Sequence, residues 1–205
     1  MIIYFIRHAN AGERKRSPEK DDVRGLDPEG VDQVYQLARL FTRLNVAPDV
    51  IISSPLKRAM QTAAMVANEL GYDDKLRITK TLRPDAKWED FGPTLRSYAA
   101  DTVIVVGHNP NLGQFVGRII SKPGTRADID LKKGGVARVE YDGRIGELQW
   151  LMTPRIIREA NAGVPQHHPP TQAPEPADIP TVEAKSNLKA MKRSSTIGKT
   201  KKRKG

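Results

Sequence analysis

Three short apolar runs, largely β-branched, each stop at a polar or charged residue on the threshold of a helix signal. They are Ile2-Ile3-Tyr4-Phe5-Ile6, Val50-Ile51-Ile52 and Val103-Ile104-Val105-Val106. Runs this short, continuous rather than alternating, read as strands buried on both faces. Arg7-His8 closes the first. Ser53-Ser54-Pro55 closes the second, and Gly107-His108-Asn109-Pro110 closes the third.

The intervals carry helical spacing. Asp27-Pro28 supplies an N-cap with Pro at the first helical position, and Val34, Leu37, Ala38, Phe41 and Leu44 form an apolar stripe behind it. Ser54-Pro55 is expected to cap a helix running to Leu70 and stopped by Gly71. A short strand is expected at 76–78, a helix across 88–99 interrupted by Pro93, and a helix capped by Asn109-Pro110 as far as Ile120. Residues 136–141 and 147–152 alternate in polarity around Asp142-Gly143, the pattern of a β-hairpin. The fold class that follows is α/β: a three-layer domain with a mostly parallel central sheet, helices on both faces and an antiparallel C-terminal hairpin edge.

The 205 residues suffice for one domain with a proper core. The chain has no Cys, which excludes disulfides, thiolate catalysis and Cys-ligated zinc and fits a reducing compartment. The six-residue N-terminal apolar run lacks a basic leader and breaks at Arg7, and no stretch approaches a membrane span, so a cytoplasmic location is expected. The net charge of +10 is uneven: residues 161–205 hold nine Lys/Arg against three Asp/Glu, and residues 1–160 hold 25 against 21. Six prolines fall within 165–180, and a Lys-rich end follows. Such composition cannot offset its ordering entropy by apolar burial, so 161–205 is expected to be a disordered tail on a domain spanning 1–160. The tail can contact nucleic acid or other polyanions weakly, and its His167-His168 pair reads as solvated.

Arg7 and His8 set the chemistry. An Arg at the exit of a central strand needs an anion, and a neighbouring His offers a nucleophilic nitrogen near neutral pH. In open α/β sheets ligands bind beyond the carboxyl ends of the strands, where helix N-termini also point. Arg7, His8, Arg58 and His108 could thus meet in an electropositive pocket suited to a phosphoryl group. Alone, Arg58 reads as a solvated helix residue, and Ser53 and Ser54 read as a strand end and a cap rather than nucleophiles.

Phe5-Ile6-Arg7-His8-Ala9, the segment Ser53-Ser54-Pro55-Leu56-Lys57-Arg58-Ala59-Met60-Gln61-Thr62-Ala63, and Val106-Gly107-His108-Asn109-Pro110 resemble the histidine phosphatase superfamily. With Gly134-Gly135-Val136-Ala137 and Leu151-Met152-Thr153-Pro154, they look most like its SixA-type branch, the phosphohistidine phosphatases. The resemblance covers 1–160. It implies that His8 is the nucleophile and that Arg7, Arg58 and His108 hold the phosphoryl oxygens. Arg24 matches an Arg at the pocket mouth, and Asn109 stands with it on the phosphate-binding rim. No metal or other cofactor is expected, because the Arg residues supply the charge. Ala9 stands where the family usually has Gly. A dedicated proton donor is not evident: Asp85, Glu89 and Asp90 lie in the corresponding region without a distinctive motif. That suits phosphohistidine, whose leaving imidazole takes a proton from solvent, better than an ester.

Three functions follow. The first is a phosphohistidine phosphatase acting on a phosphorylated protein, such as a His-phosphotransfer domain of a signalling relay. The second is a small-molecule phosphomonoesterase of the same superfamily, with Asp85 or Glu89 as proton donor. The third is a non-catalytic phosphate-binding or nucleic-acid-tethering module that works through its basic tail.

Overall fold

The computed structural model describes residues 1–163 and Ala173. Its elements, in chain order, are β1 (Ile2–Arg7), α1 (Pro18–Asp22), α2 (Pro28–Arg43), β2 (Val50–Ser53), α3 (Lys57–Leu70), β3 (Leu76–Ile78), α4 (Trp88–Ser97), β4 (Thr102–Gly107), α5 (Asn111–Ile120), β5 (Val136–Tyr141), β6 (Gly146–Met152) and α6 (Pro154–Ala160). The strands form one sheet in the order β3-β2-β4-β1-β5-β6. β1, β2, β3 and β4 run parallel, and the β5–β6 hairpin adds antiparallel to β1. The α/β architecture with a mixed sheet and a hairpin edge is therefore as the sequence predicts.

The period-2 geometry of a strand explains why these runs are apolar throughout. Tyr4 and Ile6 of β1 face one layer, with Ile51, Ile104 and Val106 beside them and Val34, Leu37, Phe41, Ala63, Val66 and Ile157 from α2, α3 and α6 above. Ile3 and Phe5 face the other layer, against Phe91 and Leu95 of α4 and Leu112, Phe115 and Val116 of α5. Phe91 and Phe115 stack there with ring centroids 5.5 Å apart.

Local signals explain most helix ends. The Asp27 carboxylate accepts from the Gly30 amide at 2.8 Å and starts α2. Gly71 takes the left-handed conformation, φ 76°, that ends α3. Gly30 itself is required by contact: a Cβ there would lie 1.9 Å from the Asn10 carbonyl oxygen. The first turn of α2 thus presses on the backbone that leaves β1. Pro93 sits inside α4, where the carbonyl it deprives of an N–H partner belongs to Glu89, an exposed residue.

Three expectations are corrected. Ser54-Pro55 does not cap α3, which begins at Lys57 with Leu56 at the N-cap; the Ser54 hydroxyl reaches only the Leu56 amide, at 3.4 Å, and pairs more closely with His108 Nε2 at 2.8 Å. Asn109 does not cap α5 with its side chain: the helix begins at Asn111 with Pro110 at the N-cap, and Asn109 turns away, its amide donating to the Leu131 carbonyl at 3.0 Å and its Oδ1 left without a protein partner. Leu44 is not part of the α2 stripe; it is 48% exposed at the helix C-cap. Two helices escape the sequence reading. α1 is short and buries no side chain. α6 starts at Thr153-Pro154, whose hydroxyl accepts from the Ile156 amide, and it buries Ile157 alone. The expected tail lies outside the described residues from 164 onward, Ala173 apart.

Candidate active site

The carboxyl ends of β1, β2 and β4 stand side by side, as their register requires: Arg7 opposes Gly107, and Ser53 opposes Val106. Backbone bonds extend the ladder past the strands, from the His8 amide to the Gly107 carbonyl (2.9 Å) and from the Ser54 amide to the Val106 carbonyl (3.0 Å). These bonds bring His8, Ser54 and His108 to one sheet edge. Thr62 of α3 then ties the helix to the loop: its hydroxyl accepts from the Ala9 amide at 3.2 Å and donates to the Arg58 carbonyl at 2.8 Å. Ala9 is fully buried, and Asn45 alone among described non-glycine residues has positive φ, so Ala9 fits without glycine's freedom.

His8 is 5% exposed. Its Nδ1 lies 2.7 Å from the Ala9 carbonyl oxygen and must carry the proton. Its Nε2 lies 3.3 Å from Nε of Arg58, an obligate donor, and therefore presents a lone pair. One tautomer satisfies both contacts, the neutral one, whose Nε2 lone pair faces Arg58 Nε. Burial pushes the imidazole down to about 3, against the upward pull of the Ala9 carbonyl, and the charges of Arg58, Arg7 and Arg24 add to the lowering. His108 is held at about 2, by burial first and then by His8 and the surrounding Arg residues. The two rings sit 5.0 Å apart.

Arg58 turns three ways. Besides His8 it donates through Nη1 to the Asp21 carbonyl at 2.9 Å and lies 3.3 Å from the Asp21 carboxylate. Arg24 donates through Nε to the same carboxylate at 2.9 Å and through Nη1 to the Gly12 carbonyl at 2.8 Å. Partial burial would raise Asp21, but the Arg24 hydrogen bond, the Lys15 amide and the two Arg charges outweigh it and hold the carboxyl at about 2. Arg7 donates through Nη1 to the Leu131 carbonyl at 2.8 Å. Four buried side-chain polar atoms among the described residues have no protein partner, and three of them, Arg7 Nε, His108 Nδ1 and Asn109 Oδ1, belong to residues of this site. Buried polar groups are otherwise almost always paired, so their clustering marks a place built for polar atoms of a ligand.

These residues line one cavity of about 730 Å³, which holds Arg7, His8, Arg24, Arg58, His108 and Asn109 together. Asp85 and Glu89 are not on its wall. Both are exposed, and the Glu89 carboxylate faces Arg118 at 3.3 Å. The sequence reading missed Asp21, the carboxylate between the two Arg; its signal is the spacing Asp21-x-x-Arg24, an i, i+3 ion-pair pattern. It missed Arg14 and Lys133 at the mouth as well, because an exposed cation carries no local signal. Among the described residues no three His, Asp or Glu side chains converge as a metal ion requires, and no helix is long and apolar enough to cross a membrane.

Two buried neutral His residues make stability pH-dependent. In the unfolded chain both titrate near 6.5; in the folded protein they titrate at about 3 and about 2. Between those values the unfolded state binds protons that the folded state does not, so stability rises with pH. Lowering the pH from 6.5 toward 3 is therefore expected to destabilise the fold, with a slope approaching about 1.4 kcal/mol per pH unit for each His. Urea midpoints at pH 7.5, 6 and 5 check this, and a flat profile would mean that neither ring is held neutral.

Residues 3–91 match the family model for the histidine phosphatase superfamily (branch 1). An uncharacterised protein of Picosynechococcus sp. is 31% identical over 140 residues, which cover 66% of this chain and 82% of that protein. The chain belongs to the histidine phosphatase superfamily. A phosphohistidine phosphatase SixA homolog of Haemophilus influenzae is 26% identical over 158 residues, covering 72% of this chain and 93% of that one. The structure of the protein histidine phosphatase SixA complexed with tungstate superposes with a TM-score of 0.68 at 24% identity, over 77% of this chain and 99% of the other. A phosphoserine phosphatase of Entamoeba histolytica and an alpha-ribazole phosphatase of Shigella flexneri share this histidine phosphatase fold as well.

Proposed function

We propose that this histidine phosphatase removes the phosphoryl group from phosphohistidine on a protein, with His8 as the nucleophile. The observation that carries the reading is the tautomer of His8: Nδ1 donates to the Ala9 carbonyl, and the Nε2 lone pair faces Arg58. In the proposed sequence Nε2 attacks phosphorus in line and the bond from phosphorus to the substrate imidazole breaks. The departing ring takes a proton from solvent on its remote nitrogen. Water then attacks phospho-His8, releases phosphate and returns His8 to its neutral form. Arg7 and Arg58 neutralise the equatorial oxygens, His108 Nδ1 offers a further donor, and Arg24 and Asn109 border the group. Arg supplies the positive charge that a metal would otherwise bring.

The carboxylates on the cavity wall favour a phosphoramidate substrate. Asp21, at about 2, stays ionised and committed to Arg24 and Arg58. Asp27 spends its oxygens on the Gly30 amide and the Asn10 side chain. An alkoxide leaving group needs a proton from the protein, whereas imidazole does not. A His-phosphotransfer domain in the cytoplasm is the partner this reading suits. The second reading, a small-molecule phosphomonoesterase, draws on Glu13, a carboxylate on the same wall with an exposed side chain.

A substrate panel decides between them. Phosphohistidine is expected to be turned over about 10²- to 10⁴-fold faster than an alkyl phosphate, the range a general acid normally supplies. Faster turnover of the alkyl phosphate would reverse the assignment.

A further inference from the structure

We propose that the outer part of the cavity is a second anion subsite, in which Arg14 and Lys133 hold carboxylates that flank the phosphorylated His of an acidic protein segment. The proposal rests on the phosphohistidine reading above.

Size gives the first argument. The cavity of about 730 Å³ lies within the range that accommodates whole drug-sized ligands, and a phosphoryl group at His8 takes only its inner end. Charge gives the second. The inner cations are committed to Asp21 or to the phosphoryl end: Arg24 and Arg58 share Asp21, and Arg7 donates to the Leu131 carbonyl with Nε left for the phosphoryl group. Arg14, in the loop after β1, and Lys133, in the turn before β5, line the same cavity without an ion pair to any described carboxylate. Lys133 is held in place, since its Nζ donates to the Asn10 side-chain oxygen at 3.0 Å while the Asn10 amide donates to Asp27 and Glu29. The charge of Arg14 reaches Arg58, where burial comes first and Arg24 next in weakening the protonated form, Asp21 and Asp22 oppose them, and Arg14 adds a smaller lowering. Like charges gathered this closely are unfavourable until an anion arrives.

The opposing groups do not cancel this field. Asp27 is engaged by the α2 N-terminus and Asn10, and Glu19 accepts the Ser17 hydroxyl. Glu13 adjoins Arg14, but Lys15, Arg16 and Lys20 follow it on the same exposed segment. Single, separated, solvent-facing cations match the spaced carboxylates of a protein surface better than they match one compact polyanion. They discriminate among partners and steer encounter more than they bind tightly.

The test uses two phosphohistidine peptides, identical except that Asp/Glu flanks in one are Ser/Gln in the other. The full chain is expected to favour the acidic peptide about three- to tenfold in kcat/KM at low salt, with the preference fading in 0.5 M salt. In the Arg14→Ser/Lys133→Ser double variant the ratio should fall to about one, and in Arg14→Glu/Lys133→Glu it should invert. An equal ratio in wild type and variants, or no preference in wild type, overturns the subsite. If wild type cleaves neither peptide but splits an aryl phosphate, the phosphohistidine reading fails by itself. The rim is then judged by the two unphosphorylated peptides as competitors. Stronger inhibition by the acidic one, lost in the double variant, supports the subsite. Equal inhibition, or tighter competition by a single-stranded oligonucleotide, overturns it.

Discussion

Replacing His8 with Ala is expected to lower kcat roughly 10⁴- to 10⁶-fold, the loss seen when a covalent nucleophile is removed. The size follows from how few substitutes the site offers. Of the groups near His8, the Arg side chains are cations and Asp21 is tied to two of them. His108 has Nε2 on the Ser54 hydroxyl, and an Nδ1 that donates its proton to the phosphoryl group has no lone pair with which to attack. The backbone bond from residue 8 to Gly107 does not involve the side chain, so the strand end keeps its position in the variant. Rapid quench with labelled substrate gives the direct readout: wild type accumulates an acid-labile, base-stable phosphoenzyme, and His8→Ala does not. A variant that still forms it would place the phosphoryl group on another residue.

Arg58→Ala is expected to cost about 10²- to 10³-fold in kcat, the range for one oxyanion donor, and to raise KM as well. Arg58 is 5% exposed and reaches His8 Nε2, the Asp21 carbonyl and the Asp21 carboxylate together. Its loss removes a cation from the cavity wall and leaves Nε2 of His8 without its donor. It also removes one of the contacts that hold α1, a helix that buries no side chain. Arg58→Lys should recover little, since one ammonium group cannot donate in divergent directions as a planar guanidinium does. Steady-state kinetics on phosphohistidine check both variants, and full activity in the Lys variant would reduce Arg58 to a point charge.

Local patterns made the frame legible. Apolar runs fixed β1, β2 and β4, the Asp27-Pro28 cap and the Gly71 stop fixed α2 and α3, and the residues after each run marked the site edge. The failures were residues whose partners are distant in sequence. Ser54 and Asn109 look like caps, and Ser, Asn and Asp are indeed favoured there. Each turns toward a partner far along the chain, the Ser54 hydroxyl to His108 and the Asn109 amide nitrogen to Leu131, and the helices begin two or three residues later. α1 was invisible because it is held by Arg24, Arg58 and Arg83 through Asp21 and Asp22 rather than by an apolar face.

By itself, then, the sequence determined the layers of the sheet and which types of residue reach its carboxyl edge, because burial and period-2 geometry are written residue by residue. The tertiary structure alone decided what those residues do to one another. The His8 tautomer depends on the Ala9 carbonyl and on Arg58, fifty positions away. The grip of Asp21 on two guanidiniums, and the absence of Asp85 and Glu89 from the cavity wall, also depend on how loops return to one place. Protonation and hydrogen bonding are set by distances of a few ångströms, and separation along the chain does not specify such distances.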